Sequence, residues 1–405
     1  MRPVTPRGFR DVLFQEAAER RAVTDAIGDV FDRWGYGPVE TPAVEEYRTL
    51  EAGAGASLEG TAFRLFDLDG TLLALRPEMT LPIARLVATR LVGQQGPFRI
   101  RYAADVYREH ASLRGEARQF TQAGVELIGV NGPASDAEVV SVLVESLEAA
   151  GLIEFTIGIG TVEVLRALLD AAGGDAQWRG QVMAAAHRGD LVGLDGLTRL
   201  AEIDPAAGQA LRAVPRIGGG ADAIARCREA VASVGCEGSL EALARTWALL
   251  EATGVSERVR VDFGILRSFD YYTGLIIEAY APGVGLPLGG GGRYDDVLAA
   301  FGSPMPAAGF ALTLERVHIA LRAQGIEVDL PGLDAVVGGE DTAEVLLAAS
   351  TLRDRGLRVR IAAVSDPSGI AAEAAREGAA RAWFARGSGL SALDGDGCET
   401  GEVAS

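Results

Sequence analysis

The sequence predicts an α+β protein in which an antiparallel sheet is flanked by helices, with a helical insertion and a small C-terminal α/β domain. Three observations support this prediction. Apolar runs of strand length, separated by turn residues, occupy much of the first 160 residues and return near residue 259. Between about residues 161 and 255 the composition shifts to Ala, Leu and Gly, which is typical of short helices joined by turns. From residue 326 to 405, strand and helix patterns alternate.

The first part of the chain predicts one long helix followed by strands. Residues 11–34 carry apolar side chains at helical spacing, and Gly35 ends this helix. Residues 63–66 and 71–75 flank Asp67-Leu-Asp-Gly70, a turn sequence that predicts a β-hairpin. The other predicted elements here are a helix over residues 81–91 and strands over residues 98–107, 120–130, 259–266 and 272–281.

The region after residue 281 closes a first domain over residues 1–325. Gly289–Gly292 lacks the Lys-Ser/Thr of a phosphate-binding loop and predicts a tight turn. A helix is expected over residues 308–323. The second domain, residues 326–405, is expected to end in a flexible tail after Gly387, which is rich in Gly and Ser. Its predicted strands and helices, in alternation, cover residues 335–337, 342–355, 358–364, 370–377 and 381–385.

Composition excludes several classes of protein. Hydrophobic residues make up 48% and charged residues 23%, as in ordinary globular proteins. The sequence contains no run of about 18 apolar residues, so no membrane span is predicted. No secretory leader is recognised either, and a cytoplasmic protein is expected. The three cysteines, Cys227, Cys236 and Cys398, lack CxxC spacing, and the three histidines form no HxH or HxxxH pair. Neither a disulfide framework nor a metal site is therefore expected.

The basic residues are unusual because all 38 are arginine. The absence of lysine excludes a P-loop lysine, a Schiff-base lysine and a lysine general base. The formal net charge of −18 opposes binding to a long polyphosphate backbone, so no nucleic-acid partner is expected.

Several polar residues are spaced as a small-molecule pocket requires. A free amino acid carries an ammonium and a carboxylate, so its site needs hydrogen-bond acceptors, a cation and groups shaped for the side chain. Glu78 and Thr80 are two residues apart at a predicted strand end, and Gln122 and Glu126 are four apart on a strand, so each pair shares a face. The candidate binding residues are Glu78, Thr80, Gln122, Glu126, Arg267, Tyr271 and Tyr272.

These residues lie in three motifs, LRPEMT (75–80), RQFTQAGVE (118–126) and RSFDYYTG (267–274). In this order, and with the ETP sequence after the first helix, the first 325 residues resemble class II aminoacyl-tRNA synthetases of the histidyl type. Arg108 matches the arginine of motif 2, and GFALTLERV with Arg316 matches motif 3. The resemblance implies that the candidate residues surround the amino group and imidazole of histidine. It also implies a dimer formed through motif 1.

The nucleotide-binding motifs depart from the synthetase pattern. His110 stands where the synthetases have the glutamate that reads adenine, and Ala111 replaces an arginine that holds phosphate. Glu116 replaces a basic loop residue, and Thr313 stands where glycine is usual. Losing a cation and gaining an anion weakens triphosphate binding. Arg108 and Arg316 are therefore interpreted as a vestigial nucleotide site with no catalytic residue.

The whole pattern resembles the regulatory subunits of ATP phosphoribosyltransferase, which are catalytically silent relatives of these synthetases. The resemblance implies a short-form catalytic subunit as partner, histidine as effector, a self-dimer within a hetero-oligomer, and no cofactor. It implies a part in the first step of histidine biosynthesis and its feedback regulation. Two alternatives stay open: an active histidine–tRNA ligase with a divergent motif 2, and a stand-alone amino-acid sensor.

Overall fold

The computed structural model describes residues 4–54, 58, 60–109, 117–199, 202–265, 271–387 and 389–403. The chain divides into two compact units, residues 1–328 and residues 329–405. No helix within the described residues combines the length and the apolar character needed to cross a membrane.

The first unit contains eleven α-helices and twelve strands among its described residues. The helices are α1 (Phe14–Arg33), α2 (Tyr47–Ala54), α3 (Thr80–Arg90), α4 (Pro133–Ala149), α5 (Val162–Ala172), α6 (Ala176–His187), α7 (Leu191–Leu197), α8 (Pro205–Ala213), α9 (Ala221–Ala232), α10 (Glu241–Ala252) and α11 (Leu314–Ala323). The strands are β1 (Gly37–Pro38), β2 (Val44–Glu46), β3 (Arg64–Phe66), β4 (Leu72–Leu75), β5 (Phe98–Tyr107), β6 (Gln119–Ile128), β7 (Thr156–Thr161), β8 (Gly218–Gly219), β9 (Val259–Asp262), β10 (Leu275–Tyr280), β11 (Gly289–Arg293) and β12 (Ala307–Thr313).

Nine of these strands form one sheet in the order β1-β5-β6-β12-β11-β10-β7-β9-β8. The sheet is mixed, because β1 pairs with β5 and β7 with β9 in parallel while the central strands are antiparallel. A second sheet, β2-β4-β3, contains the predicted hairpin. The predicted α+β class with a sheet flanked by helices is confirmed, although the sheet is not purely antiparallel.

Strand β6 explains how the sheet separates a dry face from a polar one. Val125 and Leu127 are fully buried and belong to a large apolar core that includes residues of α1 and α4. The residues between them point to the opposite face, because side chains alternate along a strand. Gln122 and Glu126 therefore share a face with Ile128, which belongs to a second, smaller core.

Two sequence predictions in the glycine-rich region are wrong. Gly289–Gly292 forms most of strand β11 and is not a turn. A Cβ on Gly291 would lie 2.1 Å from the backbone oxygen of Gly309, so glycine is what lets the two strands approach. The helix expected from residue 308 begins only at Leu314, since Ala307–Thr313 is strand β12. Ala308, Phe310 and Leu312 on one face of this strand belong to the large apolar core, whereas Ala307 on the other face belongs to the smaller one.

The segment predicted as a helical insertion contains helices α5 to α10. Four consecutive helices begin with a side-chain oxygen that accepts a hydrogen bond from a backbone N–H of the first turn. Such caps satisfy donors that a helix start otherwise leaves without partners. The capping residues are Thr161, Asp175, Asp190 and Asp204.

The second unit is a small α/β fold whose sheet has the order β14-β13-β15-β16-β17. The tail expected to be flexible instead supplies two antiparallel strands, because Leu390 and Ala392 join the apolar core that contains Trp383. The elements are β13 (Ala335–Gly339), α12 (Thr342–Asp354), β14 (Val359–Ile361), α13 (Pro367–Arg376), β15 (Arg381–Arg386), β16 (Gly389–Leu393) and β17 (Glu399–Val403).

Candidate functional site

A cavity of about 140 Å³ lies on the polar face of the central strands β6, β12, β11 and β10. Residues paired across neighbouring strands share a face, and here most of them are glycine or alanine. A Cβ on Gly309 would lie 1.9 Å from Oε2 of Glu126, so the small residues make the floor on which polar groups stand. The two rows are Glu126–Gly309–Gly292–Ile276 and Gly124–Ala311–Gly290–Glu278.

Glu126 is the central polar group of the cavity and is 1% exposed. Its Oε1 accepts hydrogen bonds from the hydroxyls of Thr80 at 2.9 Å and Tyr102 at 3.3 Å, and its Oε2 accepts one from Tyr294. Burial raises the pKa of this carboxyl to about 8. Glu126 forms no ion pair with any residue that the structure describes, so it presents a buried acid supported only by neutral hydroxyls.

Glu78 lies in the turn before α3 and not at a strand end, since β4 ends at Leu75. Its two oxygens accept the backbone N–H groups of Thr80 at 2.7 Å and Leu81 at 2.9 Å. The carboxylate thereby caps α3, whose N-cap residue Met79 provides no side-chain acceptor. Burial raises the pKa of Glu78, although the backbone N–H groups oppose this shift. The cap fixes a second acidic group in the cavity.

Gln122 and two tyrosines complete the end of the cavity that holds Glu78 and Glu126. The Oε1 atom of Gln122 is buried and has no hydrogen-bond partner among the described residues. A buried polar atom without a partner costs free energy, so this oxygen is a ready acceptor for a ligand. The rings of Tyr271 and Tyr272 are 5.0 Å apart, and Tyr271 meets Tyr294 edge to face at 5.9 Å. These rings form an aromatic wall.

The other end of the cavity carries the two arginines. Arg108 donates through Nε to the backbone oxygen of Pro77 at 2.8 Å, and its guanidinium lies 5.1 Å from the centre of the Phe120 ring. Burial lowers the pKa of Arg108, while Glu78 and Tyr271 act in the opposite direction. Arg108 is therefore electrostatically coupled to the end that holds Glu78 as well.

Arg316 stands further along the same end. Its Nη1 donates to the backbone oxygen of Pro287 at 2.8 Å. Thr313 and Glu278 also line this part of the cavity and are 8% and 7% exposed. A branched side chain and an acid therefore stand beside the two cations.

The structure brings most of the sequence candidates into this one cavity. Arg267 lies outside the described residues, as do His110, Ala111 and Glu116 of motif 2. The candidates that line the cavity are Glu78, Thr80, Gln122, Glu126, Tyr271, Tyr272, Arg108 and Arg316.

Three residues of the site were not predicted from the sequence. Tyr102 alternates with Ile100 on β5 and looks like an ordinary core aromatic. Tyr294 directly follows the glycine-rich strand β11. That position could have predicted it as a site residue, because the side chain after a closely paired strand lies near the cavity floor. Glu278 lies on β10 among apolar residues, where a lone acid in an apolar strand also marks a special position.

The described part of the chain forms no metal-binding cluster. There, no three His, Cys, Asp or Glu side chains are placed to hold a metal ion. The cavity offers acceptors and hydroxyls at one end and guanidinium groups at the other. This arrangement suits a small molecule that carries both a cationic and an anionic group.

Comparison with known proteins assigns the chain to a family. The Histidyl-tRNA synthetase family model matches residues 8–317. The ATP phosphoribosyltransferase regulatory subunit of Moorella thermoacetica is 41% identical over 354 residues, covering 87% of this chain and 90% of the relative. That of Symbiobacterium thermophilum is 41% identical over 368 residues, covering 89% and 92%.

A solved structure agrees with these relatives. The crystal structure of an ATP phosphoribosyltransferase regulatory subunit/histidyl-tRNA synthetase from Bacillus halodurans C superimposes with a TM-score of 0.83 at 29% identity, covering 95% of this chain and 98% of that one. The chain therefore belongs to the histidyl-tRNA synthetase family and, within it, to the ATP phosphoribosyltransferase regulatory subunits.

Proposed function

We propose that this chain is a non-catalytic regulatory subunit of ATP phosphoribosyltransferase that binds histidine in the cavity on β6, β12, β11 and β10. Its partner is the short-form catalytic subunit, and the complex carries out the first step of histidine biosynthesis. Histidine, the end product, acts as the feedback effector. The relatives' names support the partnership, and the chemistry of the cavity supports the effector.

The observation that carries the proposal is Glu126, a buried carboxyl whose described partners are all neutral hydroxyls. Such a group gains most from a ligand that brings a cationic or N–H donor into the cavity. Histidine has two such groups, its ammonium and its imidazole. Gln122 Oε1 offers a further acceptor, and the tyrosine wall offers aromatic faces to the ring. The cavity volume of about 140 Å³ suits one amino acid.

The carboxylate of bound histidine needs a cation, and two arginines are candidates. Arg267 comes from the sequence motif RSFDYYTG, and Arg108 is coupled electrostatically to Glu78 in the same cavity. A guanidinium pairs well with a carboxylate because its donors form a planar fork. In this assignment Arg267 stays a prediction, and Arg108 serves the amino-acid end rather than a nucleotide.

A non-catalytic role is supported by the residues at the nucleotide end. Thr313 adds a side chain where the synthetases have glycine, and the motif 2 loop carries Ala111 and Glu116 in place of basic residues. Adenylate formation needs cations on the triphosphate as charge develops. With these replaced, histidine binding is separated from histidine activation.

Feedback regulation requires that histidine bind the inhibited state of the complex more tightly than the active state. A coupling free energy of about 1–3 kcal/mol is typical for such linkage. In our proposal two copies of the chain form a dimer within the hetero-oligomer. Ligand in the cavity biases the arrangement of that assembly.

Calorimetry of the isolated chain tests the proposal directly. Histidine is expected to bind with one site per cavity, and ATP at the same concentrations is expected to give no measurable heat. Histidine-dependent exchange of pyrophosphate into ATP is expected to be absent. Measurable exchange, or tight ATP binding without histidine binding, would show that the chain is a ligase and would overturn the proposal.

A further inference from the structure

A second cavity, of about 340 Å³, lies between α1 and α11 and shares no lining residue with the first. Its polar side chains come from Gln15 and Glu19 on α1, from His318 and Arg322 on α11, and from the exposed Glu327 in the segment after α11. The chain segment 325–328, which follows α11, forms the rest of the wall together with Leu321. The cavity lies entirely within the first unit.

His318 is the unusual group in this cavity. Its side chain is buried, with 6% of the residue exposed, and neither ring nitrogen has a hydrogen-bond partner among the described residues. Its Nε2 lies 3.3 Å from Oε2 of Glu19, within ion-pair distance if the ring is protonated, but the two atoms form no hydrogen bond. A neutral imidazole has one donor and one acceptor, and burying both without partners is costly. Native proteins leave few such atoms, so the pair calls for a ligand.

Burial keeps the imidazole neutral. The pKa of His318 is lowered by burial, which Arg322 and Arg20 reinforce, while Glu19 and Glu16 oppose it. At neutral pH one ring nitrogen is therefore an available acceptor. The cavity thus contains an uncharged acceptor within reach of a buried carboxylate.

Glu19 gives the cavity its anionic end. The residue is 7% exposed, and its Oε1 accepts a hydrogen bond from Nε2 of Gln15 at 2.9 Å. Its Oε2 lies 3.3 Å from Nε2 of His318. A buried carboxylate with one oxygen available favours a cationic donor over any anion.

Arg322 gives the cavity a cationic rim. It lies in the last turn of α11 and is exposed, and its guanidinium forms no hydrogen bond or ion pair with a residue that the structure describes. A metal ion does not account for the site, since no three His, Cys, Asp or Glu side chains among the described residues are placed to hold one, although Glu327 also lines the cavity. A ligand that brings a cation to Glu19 and an anion to Arg322 is complementary to these two groups.

We propose that this cavity between α1 and α11 binds a second small zwitterion, a free α-amino acid. Its ammonium donates to Glu19 and to the imidazole of His318, and its carboxylate pairs with Arg322. The apolar wall formed by Leu321 and Ile326 contacts the aliphatic part of the ligand. The site is separate from the histidine cavity and does not depend on the function proposed for it.

The test uses the full chain with Glu126→Gln, a substitution expected to weaken ligand binding in the first cavity. The twenty protein amino acids serve as probes in a thermal-shift screen, and those that raise the melting temperature are titrated by calorimetry. At least one is expected to bind with a stoichiometry of one. His318→Leu and Glu19→Gln in this background are each expected to weaken that binding at least about tenfold, the loss of a charge-assisted or buried hydrogen bond.

Matched variants separate binding from folding. Arg322→Ala is expected to weaken binding several-fold, whereas Arg33→Ala, an exposed arginine in the last turn of α1, should leave it unchanged. His318→Leu should also raise the melting temperature of the ligand-free chain, because it removes two buried nitrogens without partners. If no probe binds, or if binding survives both His318→Leu and Glu19→Gln, the second site does not exist.

Discussion

The two ends of the cavity on β6, β12, β11 and β10 differ in how their polar groups are used. At the end that holds Glu126, three hydroxyls donate to this carboxyl, and a buried oxygen of Gln122 has no hydrogen-bond partner among the described residues. At the other end, Arg108 and Arg316 each donate a hydrogen bond to a backbone oxygen of the protein itself. One end is therefore organised around Glu126, whose described partners are neutral hydroxyls. The arginines at the other end are partly engaged by the protein backbone.

This difference suggests how a ligase fold becomes a sensor. The floor of the cavity is shared by both ends and consists largely of glycines. Replacing one of them would place a Cβ against neighbouring atoms, so the floor is hard to change. The loop residues 110, 111 and 116 are not tied to that floor in sequence and can change independently. Under the proposed function, substitutions confined to the loop and to Thr313 abolish activation without disturbing recognition.

The largest expected effect comes from Glu126→Gln. Because the amide keeps the shape but loses the charge that favours a cationic ligand, histidine affinity is expected to fall at least about 100-fold, or roughly 2.7 kcal/mol. Isothermal calorimetry measures the change. Glu373→Gln, which alters another buried glutamate in the C-terminal unit, serves as control and should leave affinity unchanged. Wild-type affinity in Glu126→Gln would mean that histidine binds elsewhere.

Glu78 distinguishes binding from helix capping. Glu78→Gln retains one acceptor for the first turn of α3 and is expected to weaken histidine binding about tenfold. Glu78→Ala should weaken binding at least as much and also lower the free energy of unfolding by about 1 kcal/mol, since the cap is lost. Denaturant unfolding and light scattering check stability and self-association. If Glu78→Gln binds histidine normally, Glu78 is only a cap.

The amino-acid end should also release a proton when it binds histidine. The pKa of Glu126 is about 8 in the ligand-free fold, so at pH 7 the group is mostly protonated, and a cationic ligand favours the ionised form. Affinity is therefore expected to rise with pH up to about 8, by at most about tenfold per pH unit. Calorimetry in buffers of different ionisation enthalpy counts the protons. Glu126→Gln controls for titration of histidine itself, and an unchanged proton count in that variant contradicts the assignment.

The same raised pKa affects the stability of the ligand-free chain. The unfolded chain loses this proton near the ordinary pKa of 4.5, whereas the fold retains it to about 8. The Glu126 contribution to stability therefore falls as pH rises through that window and is constant above it. Thermal unfolding of wild type and Glu126→Gln is measured from pH 5 to 9. The difference between their melting temperatures is expected to be smallest at the lowest pH.

The fold was predictable where side chains follow a clear period. Strand β6 alternates apolar and polar residues, and Asp69-Gly70 marks the hairpin turn, so both were found. Strands β11 and β12 were missed because glycine and alanine carry little periodic signal. The two strands form because the absence of Cβ atoms permits close pairing, which depends on residues far apart in sequence.

The site divides in the same way. Glu78, Thr80, Gln122 and Glu126 lie in short motifs, so local sequence was enough to nominate them. Tyr102 and Tyr294 reach Glu126 only through strand pairing, and Tyr294 is 168 residues away along the chain. No local pattern encodes such a contact, since the register of the whole sheet creates it.

The smallest expected effects distinguish the two arginines of the cavity, Arg108 and Arg316. Arg108→Ala removes a cation coupled to Glu78, so the pKa of Glu78 rises further and histidine binding is expected to weaken, by about threefold to tenfold. Arg316 is anchored to Pro287 at the far end, and Arg316→Ala should change affinity less than about threefold. Calorimetry compares the two variants under one set of conditions. If Arg316→Ala proves the more damaging, the carboxylate of histidine points towards Thr313, and the two ends of the cavity are not chemically separate.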